Sequence, residues 1–341
     1  MTNRSIVANR NQIDVAIAKA LNFIARNQLP YGEIKTYFST DERIKDRCVF
    51  DSSPFVTALV VYCISFVEDP KVKEITQKAV QFLVEEKEIL GLWRFWSSRN
   101  PKHKRLPLDL DDTACIAFTL KQYYSPLLYS FLFGSNQTIL LNNRNERGLF
   151  YTWIVPPGHP NNWVDSVVNA NVLFYLGDCD ETKAVCDYLQ DLVLSDREKG
   201  SDRSYLSDLC LYYFMSRAYF QGARRLKDAR DAVSNKTISL QQADGSFGDD
   251  LSTALAVCTL LNYQYSDRTI LDRAVQSLVE RQQEDGAWSK IAMVTGCFWT
   301  EGAGETGNWL PGYWGSEELT TALCIEALAK YRAVEKNVCH P

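Results

Sequence analysis

The feature that most constrains the fold is an internal repeat. The segments 273–288 and 78–93 align so that a basic residue, a glycine and a tryptophan recur at the same three offsets. The segments 19–32 and 241–247 repeat the same frame. Each copy has the apolar spacing of an amphipathic helix and ends in a glycine that can close the helix. A repeat of this kind predicts stacked helical hairpins.

A second helix, apolar on all sides, follows each repeat. A helix that is apolar on every side is buried, whereas an amphipathic helix lies outside. Six such pairs therefore predict an all-α (α/α)6 barrel, or toroid. We expect a single domain over 1–341, with hairpins from about 12 to 334. The predicted inner helices are 54–66, 112–123, 166–176, 206–219, 251–263 and 319–331. The predicted outer helices are 12–28, 71–88, 125–140, 181–194, 224–241 and 268–283. No strand alternation is sustained enough to compete.

Composition and charge exclude several classes of partner. The net charge is −5 and no basic stripe is present, which argues against nucleic acid. No apolar run approaches the roughly 20 residues that span a bilayer. The N-terminus is polar without an apolar signal core, and the ten cysteines contain no Cys-x-x-Cys pair. These patterns are typical of a protein of the reducing cytoplasm.

Acidic residues stand at the start of every predicted inner helix, so they should surround one mouth of the barrel. Aspartate at this place commonly caps a helix by accepting hydrogen bonds from its free N–H groups. We expect that role for Asp51, Asp165, Asp208 and Asp250.

The second inner helix carries three acids, Asp109, Asp111 and Asp112, which is more than capping requires. If Asp112 or Thr113 caps the helix, Asp109 and Asp111 face each other across one turn. Crowded carboxylates cannot all ionise, so at least one keeps its proton at neutral pH. Such a proton in an apolar cavity suits an alkene, which is a very poor base. A turn whose acids only cap the helix is the alternative.

The sequence Asp-Leu-Asp-Asp-Thr-Ala from Asp109 resembles the DxDDTA motif of class II terpene cyclases, the squalene–hopene and copalyl-diphosphate types. The Gln-x-x-x-Gly-x-Trp tails resemble the QW repeats of that superfamily, and together the two cover about 19–331. The resemblance implies that Asp111 is a general acid that protonates a linear polyprenyl substrate such as farnesyl or geranylgeranyl diphosphate. Asp109 and Asp112 would hold and polarise it.

The resemblance also bears on cofactors and partners. Protonation requires no cofactor, although Mg²⁺ has a role to play if the substrate carries a diphosphate. The DDxxD motif of metal-dependent ionising domains is absent from the sequence. Relatives usually pair two toroids and react between them, whereas this chain has one, so either the pocket lies inside the barrel or a second subunit completes it.

Candidate substrate-binding residues come from two further segments. The segment 295–314 is a long glycine- and aromatic-rich loop that is a candidate lid or pocket wall, because aromatic faces stabilise cations. Polar Asn169 and Asn171 interrupt an apolar inner helix, where they either line the lumen or tie neighbouring helices together. The candidates are Trp299, Trp309, Tyr313, Trp314, Asn169, Asn171 and Asp165.

Four other functions fit parts of the sequence. Asp208-Leu209-Cys210 matches half of the zinc site of protein prenyltransferases, but no histidine stands where the third ligand is needed. Residues 109–113 satisfy a haloacid-dehalogenase pattern, yet no apolar strand precedes them. An inverting glycosidase on the same barrel, or a non-catalytic toroid that binds a lipid or a protein, remains an alternative.

Overall fold

A computed structural model describes residues 8–45, 47–300 and 308–338, without the side chains of 297–300, 308–310 and 336–338. Its α-helices are numbered in chain order. They are α1 Arg10–Asn27, α2 Pro54–Ile64, α3 Pro70–Glu85, α4 Leu110–Lys121, α5 Pro126–Phe133, α6 Ser135–Asn142, α7 Ser166–Leu176, α8 Lys183–Leu194, α9 Asp208–Phe220, α10 Arg230–Ile238, α11 Asp250–Asn262, α12 Arg268–Arg281 and α13 Glu317–Val338.

Six of these helices form a closed inner ring. Helices α2, α4, α7, α9, α11 and α13 each contact the next, and α13 contacts α2. Every residue of α2 is buried, whereas the outer helix α12 buries only one side, as the hydrophobic patterns predict. The remaining helices pack outside this ring. The predicted α/α toroid is therefore confirmed, with inner-helix starts within a few residues of the expected positions.

The outer elements are less regular than the sequence suggests. The predicted helix 125–140 is two short helices, α5 and α6, that meet at Gly134. The predicted helix 224–241 begins as the 3₁₀ segment Arg224–Ala229 and continues as α10.

A small sheet that the sequence patterns did not predict accompanies the helices. Strands β1 Tyr37–Ser39, β2 Val49–Phe50, β3 Ile291–Thr300 and β4 Asn308–Ser316 form an antiparallel sheet in the order β2-β1-β4-β3. The predicted loop 295–314 is thus largely a β-hairpin. Its aromatic residues favour strands, but the stabilising partner β1 lies far away in the sequence.

Glutamines of the repeat join consecutive outer helices. The side-chain amide of Gln282 donates to the carbonyl of Gly286 in its own turn and to that of Ala16 in α1, at 3.0 and 2.9 Å. Gln28 and Gln241 make the same two kinds of bond, each to its own turn and to the next outer helix in space. The bond from Gln282 to Ala16 connects the last outer helix to the first.

The glycine of the same repeat lets the turn approach the neighbouring helix closely. Gly286 has φ +96°, and a Cβ there would lie 2.4 Å from the carbonyl oxygen of Lys19 in α1. Both the backbone conformation and the contact therefore require glycine.

We expect Gly286→Ala to lower the free energy of unfolding by about 2–4 kcal/mol, from backbone strain together with overpacking. Gly200→Ala is the matched control, because Gly200 also has a positive φ, of +79°, but nothing lies within 4 Å of the added Cβ. It should cost only about 1 kcal/mol. Urea denaturation of both variants measures the difference, and equal losses would show that the close approach to α1 is unimportant.

Candidate active site

The acidic motif begins α4, and Asp109 is its N-cap. The Asp109 carboxylate accepts a hydrogen bond from the backbone N–H of Asp112 at 2.8 Å. The expectation that Asp112 or Thr113 caps the helix was therefore wrong. The hydroxyl of Thr113 instead accepts from the backbone N–H of Trp93 at 3.1 Å.

Asp109 and Asp112 form a buried carboxyl pair. Their exposed fractions are only 3% and 2%. Burial raises the pKa of Asp109 to about 6, and burial followed by the adjacent Asp109 carboxylate raises the pKa of Asp112 well above its usual value. The crowded pair expected from the sequence is thus Asp109 with Asp112, not Asp109 with Asp111, and Asp112 is its proton-holding member.

Asp111 turns away from that pair and keeps an accessible surface. One carboxylate oxygen accepts from the amide nitrogen of Asn171 and the other from the hydroxyl of Tyr205, both at 2.6 Å. Asn171 lies on α7 and Tyr205 just precedes α9. Since these are the next two inner helices around the ring, Asp111 projects into the mouth of the barrel.

Four of the five other inner helices have no acid at this position, and the fifth, α13, has Glu318 two residues after its capping residue Ser316. Asp111 stands two residues after the N-cap of α4. Counting from the N-caps of α2, α7, α9 and α11, the same position holds an apolar residue in each helix, namely Phe55, Val167, Leu209 and Leu251. A carboxyl group at this place is not required by the fold.

The surroundings of Asp111 act on its proton in opposite directions. Burial raises the pKa of Asp111, whereas the hydrogen bonds from Asn171 and Tyr205 and the charge of Arg217 lower it. The first turn of α4 also carries the positive end of the helix dipole, which favours the carboxylate left after proton transfer. Burial thus favours the protonated form of Asp111, while its partners stabilise the conjugate base.

Arg217 places a buried positive charge one helical turn below the motif. It is 1% exposed, and its guanidinium donates to the side-chain oxygen of Asn171 at 2.7 Å and to the sulfur of Cys115 at 3.4 Å. Because that oxygen of Asn171 is occupied by Arg217, the amide nitrogen must face Asp111. The rings of Phe174 and Phe214 lie 4.0 and 4.7 Å from the guanidinium carbon.

Asn169 has a different position from Asn171. Its amide oxygen accepts from the backbone N–H of Phe150, and its nitrogen donates to the carbonyls of Phe150 and Asp165. In four other hairpins a threonine in the first turn of the inner helix receives the equivalent backbone N–H; these are Thr57, Thr113, Thr253 and Thr321. Of the two roles expected for Asn169, the geometry therefore favours a structural link to a neighbouring segment over lining of the lumen.

Asp165 is fully buried and caps α7, as the capping expectation states. One oxygen accepts from the N–H groups of Val167 and Val168, and the other accepts from the N–H of Arg203. Burial raises its pKa to about 7. These contacts favour a capping role over substrate contact.

The other three expected caps are Asp51, Asp208 and Asp250, and none of them caps its helix through its own side chain. The N-caps of α9 and α11 are Ser207 and Asp249, each one residue before the expected aspartate. The carboxylate of Asp51 binds side chains instead, those of Trp96, Asn100, Lys102 and Trp314. The difference arises because the chain before α2 turns toward the sheet.

The β3–β4 hairpin lies at the same mouth as Asp111. The backbone of Thr295 donates to Ser204, and that of Leu206 to Met293, so β3 runs beside Tyr205. Trp314 is buried, and its indole N–H donates to Asp51 at 2.7 Å, which anchors β4.

Three of the aromatic candidates stay predictions as substrate contacts. Tyr313 lies in β4, is half-buried and pairs with Ser39 of β1. The side chains of Trp299 and Trp309 lie outside the described residues, although their backbones pair across the hairpin.

Cavities lie at both ends of the barrel. A cavity of about 1080 Å³ opens between the starts of α9 and α11 and β3, with Leu206 and Met293 in its wall. A second cavity of about 270 Å³ lies at the opposite end, around Tyr62 and Phe118. Asp111 lines neither of them. The lumen directly below Asp111 is occupied by Arg217 and the aromatic rings that surround it.

Two residues of the site, Tyr205 and Arg217, were missed by the sequence argument. Arg217 had a readable signal, because a lone arginine within the otherwise apolar α9 must have a buried partner. Tyr205 had none, since it precedes its helix and reaches Asp111 only through the closed ring.

No group of three or more histidine, cysteine, aspartate or glutamate side chains among the described residues is arranged to hold a metal ion.

No family model matches the sequence, and no curated protein matches it either. Solved structures do. Type II terpene cyclase MstE from Scytonema, in complex with its substrate geranylgeranyl dihydroxybenzoate, has a TM-score of 0.71 at 15% identity and covers 95% of this chain and 98% of that chain. The ent-copalyl diphosphate synthase from Streptomyces platensis has a TM-score of 0.52 at 17% identity, covering 81% of this chain and 50% of that chain.

A possible member of the GH105 family from Salmonella enterica has a TM-score of 0.60 at 12% identity, covering 98% of this chain and 97% of that chain. At these identities the likeness concerns the fold. The chain has the α/α toroid fold of type II terpene cyclases.

Proposed function

We propose that this protein is a class II terpene cyclase that protonates and cyclises a linear polyprenyl substrate, with Asp111 as the general acid. The observation that carries the proposal is the position of Asp111. It is the one acid of the motif with an accessible surface, and both of its oxygens are held by partners from neighbouring inner helices. The fold of MstE, whose structures hold a geranylgeranyl substrate and a cyclised product, supports the same reaction class.

The reaction begins when the Asp111 proton moves to the terminal alkene. The alkene π electrons form the new C–H bond, which leaves a tertiary carbocation on the other alkene carbon and a carboxylate on Asp111. Further alkenes of the chain attack the cation in turn and form the rings. Loss of a proton, or capture of water, ends the sequence. Only interactions that strengthen as the Asp111 charge develops accelerate the first step.

Three neighbours meet that condition. Asn171 and Tyr205 already donate to the carboxylate, so both bonds strengthen when the proton leaves. Arg217 holds Asn171 in the required orientation and adds a positive charge that water cannot screen. We assign Asn171 and Tyr205 to direct stabilisation of Asp111, and Arg217 to positioning Asn171.

Arg217 and the aromatic rings around it lie below Asp111, and we expect the terminal isoprene unit to reach this acid from the mouth of the barrel. The site above Asp111 must then be shielded from water, because a water molecule that reaches the carbocation ends the cyclisation early. The β3–β4 hairpin is the intrinsic candidate for this cover, and a second subunit is the alternative. A farnesyl or geranylgeranyl diphosphate fits the proposal, with Mg²⁺ arriving on the diphosphate.

The likeness to the GH105 protein favours a second candidate, a glycosidase. Inverting glycosidases place two carboxyl groups about 6.5–9.5 Å apart across the substrate. In the motif, Asp109 and Asp112 are buried against each other, which leaves Asp111 without an evident second acid from this turn. The cyclase is therefore the better supported function.

Asp111→Asn should abolish cyclisation without unfolding the barrel. An amide has nearly the same shape but cannot donate a strong acid proton, and loss of a general acid typically costs about 10²–10⁴ in rate. Products from farnesyl and geranylgeranyl diphosphates are measured by gas chromatography after phosphatase treatment. Asp208→Asn is the control, since Asp208 is an exposed acid at the start of α9. Equal turnover by Asp111→Asn and the wild type would refute the assignment.

Arg217→Met should shift the pH profile and lower the maximal rate together. The acid must be protonated to react, so kcat/KM falls as pH rises through the pKa of Asp111. Because Arg217 lowers this pKa, its removal should move the descending limb to higher pH. The acid also becomes weaker, so the low-pH plateau should fall by roughly tenfold.

The same profile separates this effect from damage to the fold. The titratable groups that interact with Asp111 are Asp109, Asp112, Cys115, Asp165, Asp202, Tyr205 and Arg217, and only Arg217 changes in the variant. Arg217→Lys should restore part of the shift, since it restores the charge. If the low-pH plateau falls but the descending limb stays at the same pH, Arg217 only fills space and does not lower the pKa of Asp111.

A further inference from the structure

The outer surface of the third hairpin exposes an unusual set of large apolar side chains. Leu127 and Phe131 are each 86% exposed, and Leu128 beside them on α5 is 45% exposed. Ile89 and Leu90 are 73% and 52% exposed. We call these five residues the α5 patch.

The two elements that carry the patch lie against each other. The turn Ile89–Gly91 contacts α5, and a Cβ on Gly91 would lie 3.1 Å from the Cα of Phe133 at the end of that helix. Meanwhile α5 buries Tyr129 and Phe133 on its opposite side. The exposed side chains are therefore a second apolar face, which the toroid does not use. Clustered exposure of this kind indicates an interaction surface.

The segment that contains α5 carries no charge, and the residues that bound it are basic. No acidic or basic residue occurs from 122 to 143, and the residues at the two ends of this segment are Lys121 and Arg144. Lys87 lies next to the patch, with its ammonium 5.5 Å from the centre of the Phe133 ring.

The nearest acids along the chain, Glu85, Glu86 and Glu88, are already paired with Arg99, Arg94 and His103. The border of the patch is thus basic. By contrast, the outer helices α1, α8 and α12 carry charges of both signs along their lengths.

An apolar face of leucine and phenylalanine with a lysine border is the chemistry that inserts at a bilayer surface with anionic headgroups. We propose that the α5 patch docks this protein on the surface of an anionic phospholipid membrane. The attachment is peripheral: no helix among the described residues is long and apolar enough to cross a bilayer. The leucine and phenylalanine side chains insert among the lipids, and Lys87 and Lys121 give the preference for anionic headgroups.

Vesicle co-sedimentation without any substrate tests the proposal independently of the cyclase reaction. The wild type should bind vesicles of phosphatidylcholine with phosphatidylglycerol, bind phosphatidylcholine alone more weakly, and lose binding as salt rises. Leu127→Ser with Phe131→Ser should weaken binding by roughly tenfold or more, because two large apolar side chains no longer leave water. Lys87→Gln with Lys121→Gln should remove only the preference for anionic vesicles.

Leu194→Ser with Leu240→Ser is the matched control, since both leucines are about half exposed but lie on other outer elements. It should bind like the wild type, and thermal unfolding should show all variants folded. The proposal is overturned if the wild type does not bind, or if the Leu127/Phe131 variant binds equally well. It is also overturned if light scattering shows a dimer that this variant abolishes while vesicles are not bound, because the patch would then join two copies of the chain.

Discussion

The architecture depends on hydrogen bonds that fix each repeat turn to the first turn of an inner helix. In five hairpins a backbone N–H in the turn donates to a side chain of that helix; the acceptors are Thr57, Thr113, Asn169, Thr253 and Thr321. The glutamine bonds then tie three of the turns to the next outer helix. Because five of the six hairpins are held in the same way, the inner helices start at one mouth, and residues far apart in the sequence meet there.

Asp111 acquires its chemistry from that common start. Its partners come from α7 and from the turn before α9, so only a closed ring brings them to the same carboxylate. Two environments have formed within a single helical turn. Asp109 and Asp112 share a dry pair in which one proton is retained, while Asp111 is held by polar donors and the Arg217 charge. Neighbouring acids with separated proton affinities are a recurring sign of acid–base function.

The repeat and the hydrophobic patterns predicted the toroid and the position of the acidic mouth, because these follow from helical periodicity. The motif predicted three crowded acids, but the predicted pair of Asp109 with Asp111 was wrong, since pairing depends on the rotation of α4 about its axis. Asn169 and Asn171 were indistinguishable in sequence, yet the first ties a turn and the second reaches Asp111. The β3–β4 hairpin was missed because its pairing with β1 is non-local.

The central claim is that the reaction begins by transfer of a proton from the protein to an alkene. Incubation in D₂O tests this claim directly, because the Asp111 proton exchanges with solvent before each turnover. Mass and NMR spectra of the cyclic product should show one non-exchangeable deuterium on the carbon at which cyclisation starts. A cyclic product without deuterium at that carbon would show that cyclisation begins by another route and would contradict the account.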